Sequence, residues 1–397
     1  MLLPSRHLAA AILLALLAPA ASARQPRTLK LRFPRLVVPA GTNPEACRLV
    51  RLPTAKPFDV ASIEIRHRGV GGSFAVQHFL VHLYTGEHLG EFEAERGRVV
   101  ESRGCLELGP ADRDRRQLVA SGTPRHSRSA FPPGVALRLS PVPDAPGGSP
   151  AGLGFTLDGE WVNGTTRTRT VAALVVLHRA RPKAVTAVAL PFTDRSAEAG
   201  LLVPPGQVAS TEALQADRRE AAWGPGRPGG PATGACVLIV TGQMHKRGRF
   251  LGVDLIGADG MVENPAGGAP NPFEAGRSHL FGALDWTDEG ALLRLQPLAV
   301  GMGQALHYAC WDDNGSMRSL RLGCEEASGV PAGQVGAPAK PCTGDADCPP
   351  TDPAYPGRTF TGACRPANLV AGPTLEDEVC RLDGIYVPAD PVAGCPP

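Results

Sequence analysis

The sequence has almost no net charge: Lys+Arg 40 against Asp+Glu 38 gives +2, and loss of Arg6 with a cleaved leader would leave +1. A chain without an overall field does not gather nucleic acid or an anionic membrane by its net charge, so the composition does not point to nucleic-acid binding as the main role. Lysine is scarce, occurring only at positions 30, 56, 183, 246 and 340. No two cysteines stand in a C-x2-C pair, which argues against a structural zinc site. No G-x-S-x-G elbow is present to expose a nucleophilic serine, so a hydrolase has no positive support. Beyond the first residues no apolar run is long enough to cross a membrane as a helix. Capped, helix-periodic segments are also scarce, and Ser210 to Ala222 is the best of them.

What is present points to an exported β protein. Arg6 and His7, the apolar stretch Leu8 to Leu17 and the A-x-A sequence Ala21-Ser22-Ala23 read as a signal peptide over residues 1–23, giving a mature start near Arg24. All ten cysteines follow it, an even number that in an exported chain reads as disulfides. The expected location is the periplasm, the outer surface or the medium. Gly 47 and Pro 40 make long helices costly, while 43% hydrophobic residues is enough for packed cores. Short β-branched runs between Gly/Pro turns predict strands at Leu36–Val38, Val60–Ile65, Phe74–Leu83, Val135–Leu139, Val171–Leu177, Val237–Thr241, Phe250–Ile256 and Leu292–Leu295.

The remaining length, about 370 residues, predicts two domains. Leu36-Val37-Val38-Pro39-Ala40-Gly41 is echoed by Leu201-Leu202-Val203-Pro204-Pro205-Gly206, as though each half opened with the same strand and Pro-x-Gly turn. Residues 28–194 and 198–397 are the expected domains, the second carrying a Cys/Pro-rich insertion at 325–370. Pro141 to Gly152 reads as a loop and Trp223 to Gly234 as a flexible insertion. The acidic pairs Asp312-Asp313 and Glu325-Glu326 read as solvated loop faces. Asn163-Gly164-Thr165 and Asn314-Gly315-Ser316 match glycosylation sequons, to which no role is given.

Two apolar runs carry histidine. One is Ala75-Val76-Gln77-His78-Phe79-Leu80-Val81-His82-Leu83-Tyr84; the other is Val240-Thr241-Gly242-Gln243-Met244-His245-Lys246-Arg247-Gly248. Strand neighbours i and i+2 share a face about 6.6 Å apart, so Gln243 and His245 could meet on one ion, with Met244 turned away. His78 and His82 share a face but stand about 13 Å apart, too far for one mononuclear centre.

The segment Gly242-Gln243-Met244-His245-Lys246-Arg247-Gly248 resembles the G-H-M-H-x-R-G signature of copper type II, ascorbate-dependent monooxygenases, the family of the peptidylglycine α-hydroxylating and dopamine β-monooxygenases. Four further segments are similar to family motifs in the same order: Val76 to Val81, Asp158 to Asn163, Tyr308 to Asn314 and Glu376 to Cys380. The resemblance spans roughly Leu36 to Val387. It implies two tandem jelly-roll-like β-sandwich domains, all-β and stapled by disulfides, facing each other across a solvent-filled cleft that would take a small molecule or peptide. In active members three His hold one copper and two His with one Met hold the second, and ascorbate supplies electrons.

Measured against that pattern, Gln77 stands beside His78 where a His pair is expected, and Glu160 takes the place of the distant His. Gln243 replaces the first His of the second pair, and Val379 replaces the Met. Only His78 and His245 remain of six ligands; Met302 or Met317 could substitute only by entering from a loop. An amide is a poor copper ligand and valine is none, so copper is expected to be weak or lost and the chain to be a binding or structural protein. A modified copper oxidoreductase and a disulfide-rich surface or adhesion module are the alternatives. The resemblance further implies the pairs Cys47–Cys105, Cys236–Cys395 and Cys310–Cys380. Cys324, Cys342, Cys348 and Cys364 are left with three possible pairings.

Overall fold

The computed structural model describes residues 26–395 apart from 94–98, 102–104, 106–107, 111, 113–114, 123–124, 212–221, 228–229, 246, 265–267, 284–292, 329–339, 354, 356, 372–377 and 390–394. The leader expected over residues 1–23 lies outside this set, as does most of the helix expected from Ser210 to Ala222.

The chain is all-β. Its first half runs through β1 (Thr28–Val38), β2 (Glu45–Pro53), β3 (Phe58–Arg68), β4 (Phe74–Tyr84), β5 (Val99–Glu101) and β6 (Arg116–Ser121). It continues through β7 (His126–Ala130), β8 (Val135–Leu139), β9 (Val142–Pro143), β10 (Pro150–Asn163), β11 (Arg169–Arg179) and β12 (Ala187–Asp194). The second half comprises β13 (Leu202–Val203), β14 (Gln207–Ser210), β15 (Ala222–Trp223), β16 (Ala235–Met244), β17 (Gly248–Ile256), β18 (Ala269–Pro270) and β19 (Ser278–His279). There follow β20 (Phe281–Ala283), β21 (Leu293–Val300), β22 (Ala305–Asn314), β23 (Leu322–Glu326), β24 (Phe360–Pro366), β25 (Leu369–Val370) and β26 (Cys380–Pro388). Seven of the eight strands expected from the β-branched runs fall inside one of these, and the eighth, Leu292–Leu295, falls in β21 apart from Leu292, which lies outside the described residues. The loop expected over Pro141 to Gly152 shortens to a hairpin tip, because β9 pairs back onto β10.

A nine-stranded sheet runs through both halves in the order β1-β11-β3-β8-β12-β26-β16-β21, with β7 on β3. The junction is β12: Ala187–Ala189 pair in parallel with β8, and Leu190–Asp194 pair antiparallel with β26. Against this sheet the first half sets a six-stranded sheet, β5-β2-β10-β4-β6 with β9, and the second half a five-stranded sheet, β14-β22-β17-β20 with β15. The two halves repeat one arrangement. In each, a Pro-x-Gly turn leads into a strand (β2, β14) beside a long one (β10, β22), whose other neighbour (β4, β17) follows in sequence directly on a strand of the large sheet (β3, β16). Gly41 and Gly206, at φ +69° and +79°, occupy the left-handed conformation those turns require.

Period-two alternation sends one set of side chains into each core. Leu31 and Phe33 of β1 meet Phe79, Leu157 and Trp161 in the first core. Val240, Met244, Leu251, Val253 and Tyr308 form the second. β26 is buried on both faces: Ile385 and Val387 join the first core, and Leu382 and Tyr386 the second. Cys236, Leu238 and Ile239 of β16 also enter the first core, so apolar packing joins the halves along β16 and β26. Trp223, expected to begin a flexible insertion, is fully buried and stacked on Phe192 with ring centroids 3.8 Å apart.

All five disulfides form: Cys47–Cys105, Cys236–Cys395, Cys310–Cys380, Cys324–Cys348 and Cys342–Cys364. The last two staple the β23–β24 hairpin around a small cluster with Phe360. None of the helices among the described residues is long and apolar enough to cross a membrane.

Candidate functional site

The strongest polar constellation lies on the face of the six-stranded sheet turned away from the first core. Register places Glu45 of β2, Glu160 of β10 and His78 of β4 in one cross-strand row, with Asp158 two residues back on β10 and the same face. A bulge between Glu160 and Trp161 makes Gln77 the extra residue of β4, half-buried and out of that row. All four members are buried, at 1–8% exposure. His78 Nε2 lies 3.2 Å from Asp158 Oδ1, and its Nδ1 lies 3.7 Å from Glu160 Oε2. Asn43 Nδ2 donates to the second oxygen of Glu160 at 3.2 Å, and the Cys105 amide donates to Glu45 Oε1 at 3.1 Å. Glu45 Oε2 has no partner among the described residues.

The cluster sets its own protonation. Burial alone would lower His78, but the carboxylates of Asp158, Glu45 and Glu160 overcome it and push the imidazole to about 10. Burial and the neighbouring Asp158 charge raise Glu45 to about 8. Burial would also raise Asp158, but the His78 charge and hydrogen bond outweigh it and hold that carboxyl below its ordinary value. Four residues along β4, His82 is 1% exposed, and neither ring nitrogen has a partner among the described residues. Burial drives it down to about 3, aided by the charges of Arg381 and Arg116. Arg381 belongs to β26, so this polar face looks onto the second half.

The second position is built differently. Gln243, at the end of β16, lies opposite Arg381 and is 4% exposed, with its Nε2 unpartnered among the described residues. Met244 turns to the opposite face and packs in the second core. His245 lies just past the strand end, half-buried, and its amide donates to Glu378. The Glu378 carboxylate also accepts from the amides of Arg247 (2.9 Å) and Val379 (3.1 Å). Burial raises it to about 7 against those hydrogen bonds. Val379 is 2% exposed, beside the Cys310–Cys380 bridge. Met302 and Met317 are 62% and 57% exposed, so neither enters the site.

Asp312 and Asp313 correct the sequence-based expectation. They lie on β22 and are fully buried, not on a solvated loop. The Asp313 carboxylate accepts the amides of Gly315, Ser316 and Met317, which closes the turn after β22. Asp312 has no partner for either oxygen among the described residues, and burial, with the nearby Glu378 charge, raises it well above its ordinary value.

No family model matches the chain, and no curated protein matches it.

Sequence reasoning named Gln77, His78 and Glu160 together; the structure brings His78 and Glu160 into one cluster and adds Glu45 and Asp158. The signal for Asp158 was available, since it shares a strand face with Glu160. Glu45 had no local signal, because only sheet pairing brings β2 alongside β10. A second missed cluster joins Asp254 of β17 to His279 Nδ1 (2.8 Å), Asn264 Nδ2 (2.7 Å) and Arg277 Nη2 (2.9 Å). It ties β17 to β19 and the loop before it, and among the described residues the partners of His279 include no hydroxyl or thiol.

Proposed function

We propose that the chain is an exported relative of the copper type II, ascorbate-dependent monooxygenases, built of two jelly-roll-like sandwiches. It has given up the redox-metal reaction and serves a binding or structural role. The observation that carries this reading is His78 held between Asp158 and Glu160. The imidazole that would bind the first copper is instead the cation of a buried ion-pair cluster. Three further features support the reading: the repeated Pro-x-Gly arrangement of the halves, the Cys310–Cys380 bridge at the place the resemblance implies, and buried Val379 where a thioether is needed. The bridge counts against an unrelated surface module. The five disulfides suit an exported chain.

The donors do not fit copper cycling between Cu(I) and Cu(II), which calls for several imidazoles or a thioether. One position offers a single imidazole among carboxylates; the other offers an amide, one imidazole outside the strand and a valine. No reaction step is assigned to either.

The test is metal analysis and oxygen uptake on the purified protein. Copper well below one equivalent per chain, and no ascorbate-driven oxygen consumption above that of free copper, is the expected result. One or two retained coppers with ascorbate-dependent hydroxylation of a peptide-like compound would overturn the proposal.

A second reading has one specific observation behind it. Donor atoms of Glu45, His78 and Asp158 all lie within 4.8 Å of one another. This O/O/N set suits a non-redox divalent cation better than copper. Retention of zinc or manganese by the native chain and its loss in Glu45→Gln/Asp158→Asn would favour it; equal metal content in both proteins would dismiss it.

A further inference from the structure

The outer face of the nine-stranded sheet carries a feature unrelated to the two histidine positions. β11 runs between β1 and β3, and register places Arg32 and Arg66 on either side of Leu174. One row along the same face, Arg68 lies opposite Ala172, and across from Ala172 the bulge of β1 presents Pro34 and Arg35. Rows on one face are about 6.6 Å apart and alternate strands about 9.5 Å. Four exposed arginines therefore spring from the corners of a small rectangle whose floor is the short Ala172 and the apolar Leu174.

A fifth, Arg48, reaches this place from β2 across the sandwich edge, donating to the Arg32 carbonyl. Its Nε is buried without a partner among the described residues. Together these groups line a concave pocket of about 260 Å³. Among the described residues no carboxylate lines it. Arg66 donates to Glu64 at 2.7 Å from the side, whereas Arg32, Arg35, Arg48 and Arg68 pair with no carboxylate among the described residues.

Five guanidinium groups around one concavity repel each other. Burial lowers Arg48, whose charge is partly withdrawn from water. The β1 bulge contributes by turning Arg35 onto the same face as Arg32, where strict alternation after Phe33 would have left Pro34. Guanidinium forks match tetrahedral oxyanions with paired N–H donors, and they do so better than ammonium groups. The pocket is smaller than the usual drug-sized site, which limits the occupant to a compact group. The apolar floor gives no polar contact to a neutral ligand.

We propose that this pocket is a binding site for a multiply charged tetrahedral oxyanion, a phosphate or sulfate group held by Arg32, Arg35, Arg48, Arg66 and Arg68. The group could be a free phosphoanion or a sulfate carried on a sugar, and the chemistry of recognition is the same.

Calorimetric titration of the full-length mature protein at low salt tests this, with pyrophosphate as one probe and a multiply sulfated disaccharide as the other. Saturable binding of one equivalent of either probe is expected, weakened at least tenfold in Arg32→Gln/Arg68→Gln and in Arg35→Gln, and unchanged in the distant control Arg181→Gln. The probe that binds more tightly identifies the source. Circular dichroism and thermal unfolding of the variants should match the parent, because the replaced side chains are exposed. Absence of saturable binding by both probes would overturn the proposal, as would equal affinity in the parent and the arginine variants. Binding that Arg181→Gln weakens as much as the pocket variants would also overturn it, since the attraction would then be diffuse.

Discussion

Asn163 and Asn314 make the same connection in the two halves of the chain. Asn163 Nδ2 donates to the carbonyls of Val38 and Pro39, both at 2.9 Å, while the Gly41 amide returns a bond of 2.8 Å to the Asn163 carbonyl. Asn314 Nδ2 donates to the Val203 carbonyl at 2.9 Å, and the Gly206 amide returns one of 2.6 Å to the Asn314 carbonyl. Each asparagine is fully buried and fastens a Pro-x-Gly turn to the end of the long strand beside it. Two sequons that carried no meaning as sequence are thus the latches of a repeated fold.

Asn163→Ala and Asn314→Ala should each cost about 3 kcal/mol, because buried carbonyls lose their donors and water cannot replace them. Denaturant unfolding of each variant measures this. A cost under about 0.5 kcal/mol in either would show that the latch is idle.

His78→Ala removes the cation from a buried carboxylate group and should destabilise the fold by about 3–5 kcal/mol at neutral pH. Glu45→Gln should cost about 1 kcal/mol or less, since the raised Glu45 is largely protonated there. Equal losses in the two variants, read from unfolding midpoints, would contradict the charge assignment.

Copper affinity should be recoverable if the resemblance is correct. Gln243→His with Val379→Met restores the ligand types of the second centre, and Cu(I) binding is expected to tighten at least tenfold over the parent. Competition with a Cu(I) chelator reads this out; no gain would separate the fold from that family's site geometry.

Acid should act on Asp254 in a defined window. Burial would raise this carboxyl, but His279, Asn264 and Arg277 hold it at about 2, below its ordinary 3.8. A depressed acid contributes stability above its unfolded value and loses it as pH falls through the folded one. The contribution, roughly 2 kcal/mol, should therefore be complete above about pH 4 and fade toward pH 2. Thermal midpoints of the parent and Asp254→Asn should converge as pH falls through that range. A constant gap would remove Asp254 as the cause.

Breaking Cys310–Cys380 with paired serines should cost about 2–4 kcal/mol globally. Breaking Cys324–Cys348 should loosen chiefly the β23–β24 hairpin. Hydrogen exchange distinguishes the two: protection lost across the second core in the first variant, and near the hairpin in the second.

The sequence alone determined the all-β character, because strand formation follows from local features: β-branched runs, alternation and Gly/Pro punctuation. It also turned Met244 away from Gln243, since alternation on a strand is a local rule, whereas the joining of His78 with Glu160 was an expectation of the family resemblance and not of any local pattern. It could not place Glu45 with His78, bury Asp312 and Asp313, or assemble five arginines from three strands around Ala172. Those depend on which strands lie side by side and in what register, a property of long-range pairing that no window of sequence contains. For the same reason a chain with near-zero net charge can carry a strongly basic pocket: net charge is a sum over residues, whereas a binding field depends on where the fold puts them.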